Sequence, residues 1–455
     1  MRRAKRTLTH RVNGQLRIEF GDERLTSHAG LEILRCHLRG LGLNQMLRTA
    51  FSRVPWSGDY RMVEMVRLML VMLWVGARRL AHVRFLSRDP MVLRAAGLSV
   101  LPEERTLGRW LMRFNSHSIR KLGLVSLDLV CRAVRRMKLR ILTLDVDGSV
   151  VSTGLQVQWA QRGFNPHHRK VPSYYPILVH VAETGQILWV RNRPGNVYDA
   201  KNVDRLLREV VGLIRTRLPR RIRLRFRMDG AFFQRRVLAA LQAMCADYAI
   251  KVPMHSWLGL KSRIQMRVRW EPVNETVSGF ETMLRIKPWG MTVRVVCYRK
   301  RVFHQTAKNF QLDLFNPDDG IYEYSAVTTN LPFTPKNLWL FMAGRGAQEK
   351  TIAELKGGLA FDSVPSKRYA ANSAWQWLSV LAHNLHRDFQ LSLRTDDRRR
   401  TRKSTYSYAL SSIQTSRFEW LNVAGRLLSL AQGATLRLPG SPEIKKCFQT
   451  RLKAA

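Results

Sequence analysis

With 77 Lys plus Arg against 33 Asp plus Glu in 455 residues, the chain carries a formal net charge of +44. Spread along the whole length, that excess calls for a polyanionic partner, and nucleic acid fits best. The length leaves room for roughly two to four domains, the hydrophobic share of 45% is that of a globular protein, unlike the shorter and less apolar ribosomal proteins, and five scattered cysteines without a CxxC argue against a cysteine-built zinc site and for a reducing compartment.

The opening Met1-Arg-Arg-Ala-Lys-Arg6 is not followed by an apolar segment, so no signal peptide is expected and the location is read as cytoplasmic and nucleoid-associated. Residues 1–138 read as a mainly helical DNA-binding region, entered through a strand at Gln15 to Phe20. Apolar residues recur three and four apart at Leu31, Leu34 and Leu38, then from Met62 to Ala77, then from Ile119 to Met137. The run Leu68 to Gly76, flanked by Arg67 and Arg78-Arg79, is too short to span a bilayer and reads as a buried helix, so no membrane partner is expected. Asp89-Pro90 starts a helix, Gly97 stops it, and Thr106 is the expected cap for Leu107 to Phe114. Arg105, Arg109 and Arg113 line the second of these helices. They fit a helix-turn-helix that touches DNA, or an ordinary helical hairpin with a solvated basic face.

From residue 139 to 256 the texture changes to strands. In Ile141 to Asp147 a period of two puts Leu142, Leu144 and Val146 on one face, and Thr143, Asp145 and Asp147 on the other. After a polar excursion, Val150 to Trp159, and a basic loop holding His168, Arg169 and Lys170, two further strands, Ile177 to Ala182 and Gln186 to Arg191, read as antiparallel neighbours. Asp199 stands where a cap is expected for the helix Ala200 to Thr216. The strand Ile222 to Met228 repeats the earlier design, with Arg223, Arg225, Arg227 and Asp229 on one face. A helix, Phe232 to Cys245, and a strand, Tyr248 to Val252, follow. A right-handed crossover lays the fourth strand parallel beside the first and brings Asp229 next to Asp147. This is the strand and helix order of an RNase H-like core, and paired carboxylates at strand ends suit divalent-metal chemistry on phosphodiesters.

Residues 257–334 read as a β-rich insertion with strands at Gln265 to Trp270, Phe280 to Ile286, Thr292 to Tyr298 and Ile321 to Thr328. Its Trp257, Trp270 and Trp289 suit core packing, with stacking on an unpaired base as the alternative. Helical periodicity returns from Pro335 to Lys356 and from Ala374 to Phe389, so residues 335–392 complete the core. The tail, 393–455, is basic and is expected to be partly helical and poorly packed. On the returning helix Arg345, Glu349 and Lys356 share one face. Alone they are a surface salt-bridge ladder; beside two strand-end aspartates Glu349 becomes a third acid. Asp145 rivals Asp147 as first ligand, and Glu354, five residues past Glu349, faces elsewhere.

These segments resemble the DDE transposases of bacterial insertion sequences, most closely the thirteen-eighty group. The matching residues are Asp147-Gly-Ser149, Gly163-Phe-Asn-Pro166, Ser173-Tyr-Tyr-Pro-Ile177, Arg193-Pro-Gly-Asn196 and Arg227-Met-Asp-Gly-Ala-Phe232. The group's Tyr-x2-Arg-x3-Glu-x6-Lys signature falls on Met342, Arg345, Glu349 and Lys356. Met342 stands where the signature has Tyr, and Gly230 replaces a Ser; neither removes an acid.

The resemblance implies an α/β enzyme, an RNase H-like mixed sheet with a β-rich insertion and a helical N-terminal domain, whose catalytic residues are Asp147, Asp229 and Glu349. It implies two Mg2+ ions, replaceable by Mn2+, held by these acids with Asp145 as the rival ligand. Arg345 and Lys356 would then hold phosphates near the cut. The expected partners are the double-stranded transposon ends and target, bound by a homodimer. Two other readings stay open: a retired transposase that only occupies DNA ends, and an RNase H-like nuclease that cleaves without joining.

Overall fold

The computed structural model describes residues 11–12, 16–17, 21, 23–54, 58–154, 156–163, 170–302, 322–393, 399–401, 404–407, 410–430 and 433–455. Its centre is one mixed sheet of nine strands. In chain order these are β1 (Ile141–Gly148), β2 (Ile177–Val181), β3 (Gln186–Arg191), β4 (Arg223–Met228), β5 (Asp247–Val252), β6 (Glu271–Pro272), β7 (Val277–Ile286), β8 (Met291–Arg301) and β9 (Tyr322–Thr329). Across the sheet they run β6, β7, β8, β9, β5, β4, β1, β2, β3. β4 lies parallel to both β1 and β5, and every other pairing is antiparallel. Every residue of β2, Ile177–Val181, is buried, apolar but for His180, because both faces of the sheet are covered there.

The region expected as an insertion is a meander added to the edge of this same sheet through β9 and β5. Gln265 to Trp270 is not a strand. Leu260–Gln265 is a short helix that buries Leu260 and Ile264, four residues apart, and the alternation that suggested a strand ends on Met266 and Val268, 80% and 91% exposed.

Among the described residues seven α-helices precede the sheet: α1 (Leu31–Gly40), α2 (Leu43–Phe51), α3 (Met62–Val75), α4 (Val83–Leu86), α5 (Pro90–Ala96), α6 (Glu104–Met112) and α7 (Ser116–Arg136). Asp89 caps α5 by accepting from the Met91 and Val92 amides, and Gly97 ends it at φ +76°. Thr106 lies inside α6, which starts at Glu104. Pro102 fixes the entry, and Glu103 and Glu104 place negative charge at the helix N-terminus. After the sheet begins come α8 (Val203–Arg215), α9 (Arg235–Ala243), α10 (Leu260–Gln265), α11 (Pro335–Ala343), α12 (Gly346–Leu359) and α13 (Tyr369–Ser392). α8 starts three residues later than expected, after Asn202 in the left-handed region at φ +59°, which frees Asp199 for another role.

α13 is buried over nearly its whole length and joins the sheet to the preceding helices in one hydrophobic core. Trp74 Nε1 of α3 donates to the Ala382 carbonyl at 3.1 Å. Asp388 accepts from Arg136 of α7 at 2.7 Å and lies 3.1 Å from His37 Nε2 of α1. At the edge strand β3, Asn384 Oδ1 accepts from the Ile187 amide at 2.8 Å while its Nδ2 donates to the Ile187 carbonyl at 2.7 Å. One side chain thus satisfies both backbone groups that an open sheet edge would leave bare.

The tail is packed, contrary to its basic composition. Ile413, Trp420, Leu421 and Phe448 are buried. The strand Gly425–Leu430 pairs with Gly433–Arg437 and with Leu25–Thr26 near the other end of the chain. Widely spaced apolar residues inside an Arg-rich stretch carried this packing, and composition averages them away. Among the described residues no helix is long and apolar enough to cross a membrane.

Candidate active site

The parallel register of β1 and β4 pairs Asp145 with Arg227 and Val146 with Met228, so Asp147 and Asp229 leave the sheet side by side. Arg345 reaches both. Its Nη2 donates to Asp147 Oδ2 at 2.7 Å, and its Nη1 lies 3.7 Å from Asp229 Oδ2. The second Asp147 oxygen accepts from the Gly148 amide at 2.9 Å, and Lys251 Nζ stands 3.2 Å from Asp229 Oδ1. The two acids differ in environment. Burial, helped by the Asp229 charge and opposed by Arg345, pushes the Asp147 carboxyl up to about 6. For Asp229 burial acts in the same direction, but Lys251 and Arg345 outweigh it and hold the carboxyl below its ordinary range.

Arg345 gets there because the expected helix Pro335 to Lys356 is two helices. α11 ends at Ala343 and α12 begins at Gly346, with Gly344 and Arg345 forming an elbow. Thr334 caps α11 and Pro335 occupies its first turn, whereas glycines on both sides of Arg345 weaken continued helix. α12 then crosses the end of β1. Gln348 is buried and donates to the Asp145 carbonyl at 3.1 Å.

Glu349 is exposed on α12, one turn beyond Arg345, and among the described residues no hydrogen bond or ion pair engages it. Lys356, expected at a phosphate, donates to the Val150 carbonyl at 2.8 Å, and burial draws its ammonium below its ordinary range. It fastens the segment that follows Asp147. Asp145 is fully buried with both oxygens bound by Arg227, so it backs the open pair and does not join it. Glu354 accepts from Arg387 and from the Ile413 amide.

Two residues at this site were missed by the sequence reading. Lys251 follows Ile250, which pairs with Met228, so the β4–β5 register carries it to Asp229. Asp199 was assigned to a helix cap. Instead burial, offset by the Tyr175 phenol, raises its carboxyl, and its Oδ1 is buried without a hydrogen-bond partner. Tyr175 is set by Arg193, whose backbone carbonyl accepts from the Tyr175 amide at 2.7 Å and whose Nε donates to the Tyr175 carbonyl at 3.1 Å. The contacts are tight enough to require glycine. A Cβ at Gly148 would fall 2.5 Å from the Tyr175 ring, and one at Gly163 would fall 2.5 Å from the Gly195 carbonyl. Segments 161–163, 173–175 and 193–196, far apart in sequence, therefore meet beside Asp147.

Among the described residues no group of three His, Cys, Asp or Glu side chains is arranged to hold a metal ion. The Asp147 and Asp229 pair nonetheless has the donor chemistry of a hard divalent cation: carboxylate oxygens, one set half-buried and the other 43% exposed, already bridged by the cationic Arg345. Away from the pair, Arg105, Arg109 and Arg113 are exposed along α6, and Lys170 is exposed. His168 and Arg169 lie outside the described residues. Trp270 packs against Phe280, whereas Trp257 is 51% exposed with the Trp289 ring 5.8 Å away.

A family model described as Transposase DDE domain group 1 matches residues 9–454. No curated protein matches the chain. A cryo-EM structure of a piggyBac transposase synaptic complex with hairpin DNA is similar at 10% sequence identity and a TM-score of 0.45, over 86% of this chain and 82% of that one.

Proposed function

The chain belongs to the DDE transposase domain family, group 1, and from that premise we propose that it binds the terminal repeats of an insertion sequence of the thirteen-eighty type, cleaves there, and joins the freed 3'-OH to target DNA. The observation that carries the reading is the Asp147 and Asp229 pair on adjacent parallel strands with Arg345 across it. The strand order β3, β2, β1, β4, β5 around that pair supports an RNase H-like core.

Asp147 and Asp229 would hold divalent cations, with Glu349 added from α12 as the third acid. Bound Mg2+, or Mn2+ in its place, supplies activation of the attacking oxygen and neutralises charge on the phosphate. The rest falls to the chain's own groups. Arg345 presents a planar guanidinium that trades one carboxylate for two phosphate oxygens, and Lys251 offers a point charge at the open side of Asp229. The Tyr175 ring packs against Gly148, next to Asp147. The basic N-terminal region, 1–138, with Arg105, Arg109 and Arg113, would track the duplex, a homodimer would hold two ends, and the protein would work in the cytoplasm at the nucleoid.

The test uses terminal-repeat DNA, Mg2+ and the Asp229→Ala variant. Loss of cleavage and joining with binding retained supports the reading; unchanged cleavage overturns it. A second reading is a retired end-binding protein, suggested by Glu349, which among the described residues engages neither Asp147 nor Asp229. It predicts binding without cleavage by the unaltered chain.

A further inference from the structure

One residue pair reaches both helices of the α11–α12 elbow where they meet the sheet. Asp145 and Arg227 face each other across β1 and β4, each two residues before an acid of the open pair. Arg227 Nε and Nη2 donate to the two Asp145 oxygens at 2.5 and 2.8 Å, and both residues are nearly inaccessible, 0% and 4% exposed. The remaining terminal nitrogen, Nη1, donates to the Phe341 carbonyl in the last turn of α11 at 2.6 Å. On the other side His180 Nδ1 lies 3.3 Å from Asp145 Oδ2, and its Nε2 lies 3.3 Å from Thr351 Oγ1 on α12. Gln348 completes the set through the Asp145 carbonyl.

A buried ion pair is poorly explained by stability, since apolar residues of equal volume commonly do as well; a role in specifying geometry is the better-attested use. Here the geometry is that of the elbow. Gly344 shows it most directly, because a Cβ there would fall 2.4 Å from Arg227 Nη1. The guanidinium occupies the space that the glycine leaves, and the next residue is Arg345.

We propose that Asp145 and Arg227, relayed by His180, act as a positioning clamp that sets the α11–α12 elbow over the sheet and so delivers Arg345 to Asp147 and Asp229. The clamp rests on the transposase reading, and its failure is separable from the failure of that reading.

The experiment compares the full chain with Gly344→Ala, Arg227→Lys, the double variant and Asp229→Ala. Each is measured for thermal unfolding, terminal-repeat binding, and single-turnover cleavage over a range of Mg2+ concentrations. Alanine is the better helix former, so Gly344→Ala on local propensity alone keeps or raises Tm. The clamp predicts that it keeps Tm and DNA Kd while the cleavage rate at saturating Mg2+ falls on the order of tenfold to a hundredfold, as a displaced reacting group requires. Both substitutions act through the one contact, so the double variant should be no slower than the worse single variant. Wild-type cleavage by Gly344→Ala, or losses that multiply in the double variant, would overturn the clamp. If Asp229→Ala itself cleaves normally, the transposase reading has failed instead.

Discussion

Asp147 and Asp229, 82 positions apart by number, leave neighbouring parallel strands as adjacent carboxylates, and the single guanidinium of Arg345 spans the gap between them. Two anions share one cation in that arrangement, so Asp147 and Asp229 would hold a divalent cation with the Arg345 guanidinium left available to phosphate.

Substituting Asp147→Asn should therefore abolish cleavage while sparing the fold. The carboxyl is already pushed up to about 6 by burial, so neutralising it removes little stabilisation. The expected loss in single-turnover rate is on the order of 10^3 or more, with terminal-repeat binding unchanged. A rate within tenfold of wild type would count against Asp147 as a ligand.

Glu349 offers a sharper test, because it is exposed and unengaged among the described residues. Glu349→Gln should leave Tm within a degree or so, as for most surface substitutions, yet lower cleavage as severely as Asp147→Asn. Normal cleavage would leave the third acid elsewhere, with Asp199 the next to test.

The exposed Arg105 and Arg109 of α6, with Arg113 just past its end, should act through phosphate. Replacing Arg105, Arg109 and Arg113 together by alanine is expected to reduce the slope of log K against log salt by up to about 2.7. Fluorescence anisotropy across a salt series measures it, and an unchanged slope would move the DNA path off this face.

Asn384→Leu should be strongly destabilising despite its good volume match. It strips the Ile187 amide and carbonyl of their partner inside a closed core. Two orphaned backbone groups cost roughly 2–6 kcal/mol together, readable as a shift in the urea midpoint.

Glu183 sets a pH dependence whose sign is opposite to that of an ordinary ion-paired acid. Burial raises its carboxyl from 4.5 to about 7, against hydrogen bonds from the Thr143 residue. With the folded value above the unfolded one, its contribution is fully present below pH 4.5 and is lost as pH rises to about 7. Glu183→Gln should flatten the stability profile across that window, as followed by denaturant midpoints at stepped pH.

The acids at strand ends were legible because a two-residue period and a parallel crossover are local rules with one geometric outcome. Thus β1, β4 and the neighbourhood of Asp147 and Asp229 could be read from the chain alone. Lys251 was within reach of the same argument, one register step further. The elbow at Gly344 and Arg345 was not, since helical periodicity passes through it unbroken and the reason for the break, Arg227, lies on a distant strand. Asp199 looked like a cap because caps and site acids are the same residue types before a helix. The packing of the tail is hidden for a different reason: Trp420 meets Phe389, Ile413 meets Gly358, and the strand Gly425–Leu430 lies beside Leu25–Thr26, partners that no short window of sequence contains.

That last pairing reaches into how the molecule comes to exist. Arg24 donates to Ser429, 405 residues away, and the Ala29 and Gly30 amides donate to the Val423 and Leu421 carbonyls. During synthesis the first helices must wait, unsealed, until those late residues clear the ribosome. A nascent fragment that holds both aspartates but stops short of residue 421 would lack the seam that closes the body around them.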